Sequence, residues 1–167
     1  LKLGNLYLSR ATVVYLSALP SNRRIDRCLK VTDSNNLIPA SALADLNKAL
    51  SVFRRAVSEF PDLPGADKAM FGLIVSLVRL DNDNAARFNE VLQRRFRTSK
   101  YAALANLAVG EYYFARSEWD LAADFYQRVA SSSDGFASAY ASYKTAWIGV
   151  MNLAEHRDDQ GKYLDRI

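Results

Sequence analysis

From residue 43 onward, apolar side chains recur every third or fourth position, the period of an amphipathic helix rather than of a strand. Leu43, Leu46, Leu50, Phe53, Val57 and Phe60 mark the first such stretch, 43–60. It breaks at Phe60-Pro61-Asp62-Leu63-Pro64-Gly65, because proline lacks a backbone N–H and disfavours helix in the residue before it. The same periodicity predicts helices over 66–80, 85–96, 100–116, 119–130 and 136–153, with a seventh beginning in the tail 156–167. Asp81-Asn82-Asp83-Asn84, Arg97-Thr98-Ser99, Ser117-Glu118 and Ser131-Ser132-Ser133-Asp134-Gly135 separate them. Asn, Asp and Ser supply side-chain acceptors for turns and caps, and Ser117 is the expected N-cap of its helix. No Asn-Gly or Asp-Gly turn sits between alternating runs, so hairpin signals are missing.

The N-terminal third is less regular. Residues 5–19 read as helical up to Pro20-Ser21-Asn22, a shorter helix is expected over 23–31, and Asp33-Ser34-Asn35-Asn36 with Pro39 marks a loop. Residues 1–40 are therefore expected to form an irregular helical cap or a degenerate repeat. Short joints between helices of similar length predict antiparallel helix pairs. No linker is long or polar enough to divide the chain.

A pattern recurs within these helices. Ala49, Phe53, Ala56 and Pro61 are spaced by four, three and five, and so are Ala122, Tyr126, Val129 and Asp134. Val109-Gly110 and Tyr113 precede the second instance, with Glu118-Trp119-Asp120 between. These positions resemble the tetratricopeptide (TPR) repeat, a helix-turn-helix unit of 34 residues. The resemblance implies an all-α fold in which antiparallel helix pairs stack as a TPR-like α-solenoid over 41–167, with pairs at about 66–97, 100–134 and 136–167. The small residues Gly110 and Ala122 would let paired helices approach closely, and Tyr113 and Tyr126 would fill the space beside them. The spacing is nearer 36 than 34, Asp134 stands for the consensus proline, and the alanine expected in the last pair falls near His156.

In such stacks the first helix of each pair lines a concave face. The family's groove positions fall here on Lys68, Phe71, Val75, Val78 and Arg79, then on Leu104, Leu107, Glu111, Phe114 and Ala115, then on Ser138, Ala141, Thr145, Ile148 and Gly149. The partner-binding set this implies is Phe71, Val75, Arg79, Leu107, Glu111, Phe114, Thr145 and Ile148. Phe71 and Phe114 serve as apolar anchors, and Arg79 and Glu111 as polar contacts to a peptide or helix. Packing on neighbouring helices is the competing reading of the two phenylalanines. Phe60-Pro61-Asp62, and Ser99-Lys100-Tyr101-Ala102 before Gly110-Glu111-Tyr112-Tyr113, narrow the resemblance further. They are similar to TPR-like segments of bacterial envelope proteins, such as the outer-membrane assembly lipoprotein and the Tol-associated coordinator. That similarity implies a non-catalytic scaffold in the periplasm or cell envelope.

Composition bounds the alternatives. Half of the 167 residues are hydrophobic and 24% are charged, which suits one domain with a core and excludes a disordered chain. One cysteine, Cys28, excludes an intrachain disulfide, and one histidine, His156, removes the His-His pair of most zinc hydrolases. Packing is the expected role of Cys28. Asp81 and Asp83 open like a calcium loop but lack the glycine and glutamate that should follow. There is no Gly-rich phosphate loop, GxSxG or HExxH, so no enzyme activity, metal or cofactor is expected. Leu1 in place of Met reads as a processed chain or a fragment, and any membrane attachment would need an anchor outside it.

Charge keeps two other readings open. The net charge of +4 divides unevenly: residues 1–100 hold 16 Lys/Arg against 9 Asp/Glu, and residues 101–167 hold 6 against 9. A basic half can mark a nucleic-acid or regulatory binding module. The Arg94-Arg95-Phe96-Arg97 cluster, however, lacks the aromatic interleaving of single-strand binders. A docking module of a larger enzyme, or a cytoplasmic home, also fits the sequence.

Overall fold

The computed structural model describes residues 1–18, 39–130, 132 and 134–164, with side chains described over 1–11, 39–130, 132 and 134–152. The helix expected over 23–31, Cys28 and the His156 side chain lie outside the described residues. Those residues form seven helices and no strand: α1 (Lys2–Ala18), α2 (Ala40–Glu59), α3 (Ala66–Arg79), α4 (Asn84–Arg95), α5 (Lys100–Ala115), α6 (Trp119–Ala130) and α7 (Gly135–Leu164). The protein is all-α, as the periodicity predicts. Each helix packs on the next in sequence, and α3 also packs on α5, and α5 on α7.

α2 starts directly after Pro39 and buries Ala42, Asp45, Leu46, Ala49 and Phe53, one stripe at helical spacing. It ends where Phe60 leaves helical geometry, with the Phe60 N–H still donating to the Ala56 carbonyl and Pro61 unable to continue. Gly65, at φ +90°, closes the loop into α3, a backbone conformation that costs glycine nothing.

The core depends on aromatic rings set against glycines. Phe53 of α2 is fully buried, with Gly4 of α1 and Gly72 of α3 both close to its Cε1 and Cζ atoms. A methyl group on Gly72 would fall 2.5 Å from the Phe53 ring, and one on Gly4 would fall 2.8 Å away. Tyr126 of α6 lies against Gly110 of α5 in the same manner, at 2.8 Å. Ala49 and Ala122, both fully buried, sit one turn before these rings. Gly110 and Tyr126 thus approach closely, and Phe53 with Gly72 repeats the arrangement. Ala56 is half-buried, and Tyr113 stacks on Phe125 at 5.6 Å.

Two turns share one construction. At the end of α3, Asn82 N–H reaches back to Leu77 O and Asp81 adopts φ 52°; at the end of α5, Glu118 N–H reaches Tyr113 O and Ser117 adopts φ 60°. Both are six-to-one helix closures with a left-handed residue, and they lie about 36 residues apart. The loops before α3 and α5 match at the same interval: Phe60 and Phe96 leave the helix with nearly identical dihedrals, and Leu63 and Ser99 each donate to the phenylalanine carbonyl. Ser117 is therefore the left-handed closing residue of α5, not the N-cap expected for α6. A non-glycine residue in this region carries roughly 1–2 kcal/mol of steric cost. Ser117→Gly is expected to stabilise the protein by about 0.5–1 kcal/mol, read as a rise of a few degrees in the thermal midpoint.

One expectation about the C-terminal end needs correction. Residues 136–167 were expected to form a helix pair, but α7 is a single helix of 30 residues. The break was placed by repeat register alone; from 151 to 160 the sequence holds no proline and no glycine to stop a helix. The helix expected over 5–19 is present as the 17-residue α1, and residues 19–38 of the expected cap lie outside the described residues. Tyr7, Leu8 and Ala11 of α1 pack into the core.

Candidate protein-binding surface

The groove positions expected on α3, α5 and α7 lie on helices that touch one another, but their exposure differs. Phe71, Val75, Arg79, Leu107 and Phe114 are half-buried, and Thr145 is exposed. Val78, Glu111, Ala141 and Ile148 are buried. Phe71 stacks on Tyr101 of α5 at 5.5 Å, so the ring bridges α3 and α5 while keeping part of its surface in solvent. Arg79 donates from Nη1 to the Leu8 carbonyl of α1 at 3.4 Å, and burial lowers its pKa. Phe114 meets the edges of Trp119 and Tyr126.

Glu111 was expected to be a polar contact on the groove. It is instead the centre of a buried cluster joining α5, α6 and α7. Tyr126 Oη donates to Glu111 Oε1 at 2.5 Å. The Lys144 ammonium lies 3.2 Å from Oε2, and both side chains are about one-tenth exposed. The angles of this pair fall short of a hydrogen bond; the contact is ionic. Lys144 Nζ also sits 3.7 Å above the Phe114 ring, a cation–π contact in a desolvated place. Tyr140 Oη is buried beside the carboxylate without a well-directed partner among the described residues.

The sequence holds little trace of this cluster. Lys144 is the one charged residue between 135 and 152, which marks it as unusual but does not point to Glu111, 33 positions away. A second buried network was equally illegible. Asn89 of α4 donates to Asn106 of α5 at 2.7 Å, and Gln93 donates to Asn89 Oδ1 and to the Ala102 carbonyl.

Charged groups tie the outer ends of the helices. Arg116 reaches Asp81 and Asp83 on the preceding turn and Glu118 on its own, and Tyr112 Oη donates to Asp83 at 2.5 Å. At the opposite ends, Arg95 pairs with Asp62 at 2.9 Å and Ser99 donates to Asp67 at 2.7 Å. Asp81 and Asp83 thus serve ion pairing and the turn. Arg128 links α6 to Glu90 of α4. Part of the basic cluster at 94–100 is engaged within the protein: besides Arg95, Arg94 donates to the Glu90 carbonyl and Lys100 lies over the Tyr101 ring. Among the described residues, no three His, Cys, Asp or Glu side chains are grouped to hold a metal ion.

The buried tyrosines make stability sensitive to alkali. Burial, then the Glu111 carboxylate, raises the pKa of Tyr126 and of Tyr140; burial and the hydrogen bond to Asp83 raise that of Tyr112. Above pH ~10 the unfolded chain releases these protons while the native protein keeps them. The folded state therefore binds more protons, and stability falls as pH rises. Unfolding free energy is expected to be insensitive to these groups below pH ~9 and to decline above ~10. The part of the rise in absorbance at 295 nm that belongs to Tyr112, Tyr126 and Tyr140, three of nine tyrosines, would accompany loss of helix.

No protein-family model, curated protein or solved structure matches the chain. Among the described residues no helix is long and apolar enough to cross a membrane.

Proposed function

We propose that the protein is a non-catalytic scaffold built as a TPR-like stack of helix pairs, holding a segment of a partner protein along the face formed by α3, α5 and α7. The observation that carries this reading is the repeated construction. Two helix closures and the loops before two helices recur at about 36 residues, and the first helices of successive pairs touch. Stacking identical turns at a fixed interval places equivalent first-helix faces side by side, which is how repeat proteins build extended binding surfaces. Phe71, Val75, Leu107 and Phe114 leave apolar surface on that face, and Thr145 leaves polar surface beside it. A peptide or helix is the matching occupant. The resemblance of the Phe60-Pro61-Asp62 and Ser99–Tyr113 segments to envelope proteins supports a bacterial periplasm or cell envelope as the setting.

A photo-crosslinking amino acid placed singly at positions 75, 107 and 145 of the full chain, in its native cell, tests the reading. One shared protein adduct from the three groove positions, and none from Arg87 on the exposed side of α4, is the expected result. Adducts from position 87 alone, or nucleic acid as the crosslinked species, would overturn it.

A further inference from the structure

α7 carries an apolar stripe that its neighbours leave open. Phe136, Tyr140, Tyr143, Trp147 and Val150 are spaced by four, three, four and three, the seam of a helix that packs along another. Phe136 is 78% exposed, Tyr143 59%, Trp147 43% and Val150 58%. The rings form a ladder along the helix, with centroids 6.3–6.5 Å apart. Between them lie Ala139, Ser142, Ala146 and Gly149, all exposed, and a methyl group on Gly149 would meet nothing within 4 Å.

α5 shows what such a face is for. Leu107, Gly110, Tyr113 and Phe114 of α5 are packed by α6. Tyr143, Ala146, Gly149 and Val150 of α7 repeat the same spacings of three, three and one. These four are the open face of α7. Among the described residues none covers them, and α7 runs on as one helix to Leu164.

We infer that the occupant is a second copy of this chain, its α7 laid antiparallel against the first about a two-fold axis between residues 144 and 145. In that register each large residue meets a small one of the second copy: Tyr143 over Ala146, Trp147 over Ser142, Val150 over Ala139, and Tyr140 over Gly149. This is the ring-against-glycine fit of Tyr126 on Gly110, made between copies. Charge agrees. Lys144 is turned into the Glu111 cluster, so the stripe from Phe136 to Val150 puts no like charges face to face when two copies meet there. A helix seated on a lipid surface would instead be rimmed by Lys and Arg. The exposed aromatic and small residues together can bury on the order of 1,200 Å² across two copies, the lower range of stable interfaces. The inference does not rest on the groove reading, since either surface can work without the other.

Sedimentation equilibrium of the full chain over about 1–100 µM tests it, with far-UV circular dichroism as the check on folding. The expected result is a concentration-dependent dimer. Trp147→Glu and Ala139→Glu, each present twice in the interface, are expected to weaken it about 100-fold or more. Ala146→Tyr should break the dimer by opposing two large rings, and adding Tyr143→Ala should restore it to within about tenfold, because large and small have exchanged places. A wild type that stays monomeric at 100 µM would overturn the proposal. So would a dimer indifferent to these changes, or a monomer that instead cosediments with phosphatidylglycerol vesicles through Trp147.

Discussion

Replacing Lys144 with methionine is expected to cost about 3–5 kcal/mol, the usual penalty for removing one partner of a buried ion pair. The side chains are similar in length, so the change deletes charge more than volume. It leaves the Glu111 carboxylate with the Tyr126 hydroxyl but without its cation, in a place where both groups of the pair are about one-tenth exposed. It also removes the ammonium from the Phe114 face. The loss should appear at neutral pH as a lower denaturant midpoint with an unchanged slope. Adding Glu111→Gln should recover most of it, since a buried pair replaced on both sides is close to neutral. If the double variant were as unstable as Lys144→Met alone, the lost stability would belong to the packing of the lysine stem and not to the ion pair.

Gly72→Val is the second large effect, with an expected loss of roughly 3 kcal/mol. Removing a glycine from a helix interior ordinarily stabilises by about 0.5–1 kcal/mol, so the sign must come from sterics. A Cβ at Gly72 would fall 2.5 Å from the Phe53 ring, and the ring is already held so close to the α1 backbone that a Cβ on Gly4 would fall 2.8 Å from it. Phe53 is fully buried, and the ring would have to leave its rotamer or push α1 away. Gly72→Ala should show the smaller loss that remains after its propensity gain. Combining Gly72→Ala with Phe53→Leu should cost less than the sum of the two single changes, read as the coupling energy of a double-mutant cycle. Additive losses would mean that the ring and the glycine do not constrain each other.

The helices were legible because their stripes are local. Leu46, Ala49 and Phe53 share a face by spacing alone, and Pro61 stops the helix by its covalent structure. Gly110 was legible as a close-approach site because small residues at repeating intervals have few other uses. Glu111 could not be read as buried, because its partners lie on α6 and α7 and no local rule ties position 111 to 144. The end of the repeat was misjudged for the opposite reason: register was extended past Leu153, where nothing in the local sequence interrupts a helix. Ser117 misled because serine is a common cap, whereas its left-handed geometry is set by the closure of α5.

The ion pairs at the helix ends carry one more consequence. Arg116 to Asp81 and Asp83, Arg95 to Asp62, and Arg128 to Glu90 all join one helix pair to the next across solvent-exposed ground. Each contributes little to folding by itself, yet together they resist relative tilting of adjacent pairs. Mobile ions screen such ties over distances of ~10 Å at 0.1 M salt. The elasticity of the molecule is thus set partly by its surroundings: in dilute electrolyte it is stiff, and in brine it gives, while its ring-and-glycine interior stays shut.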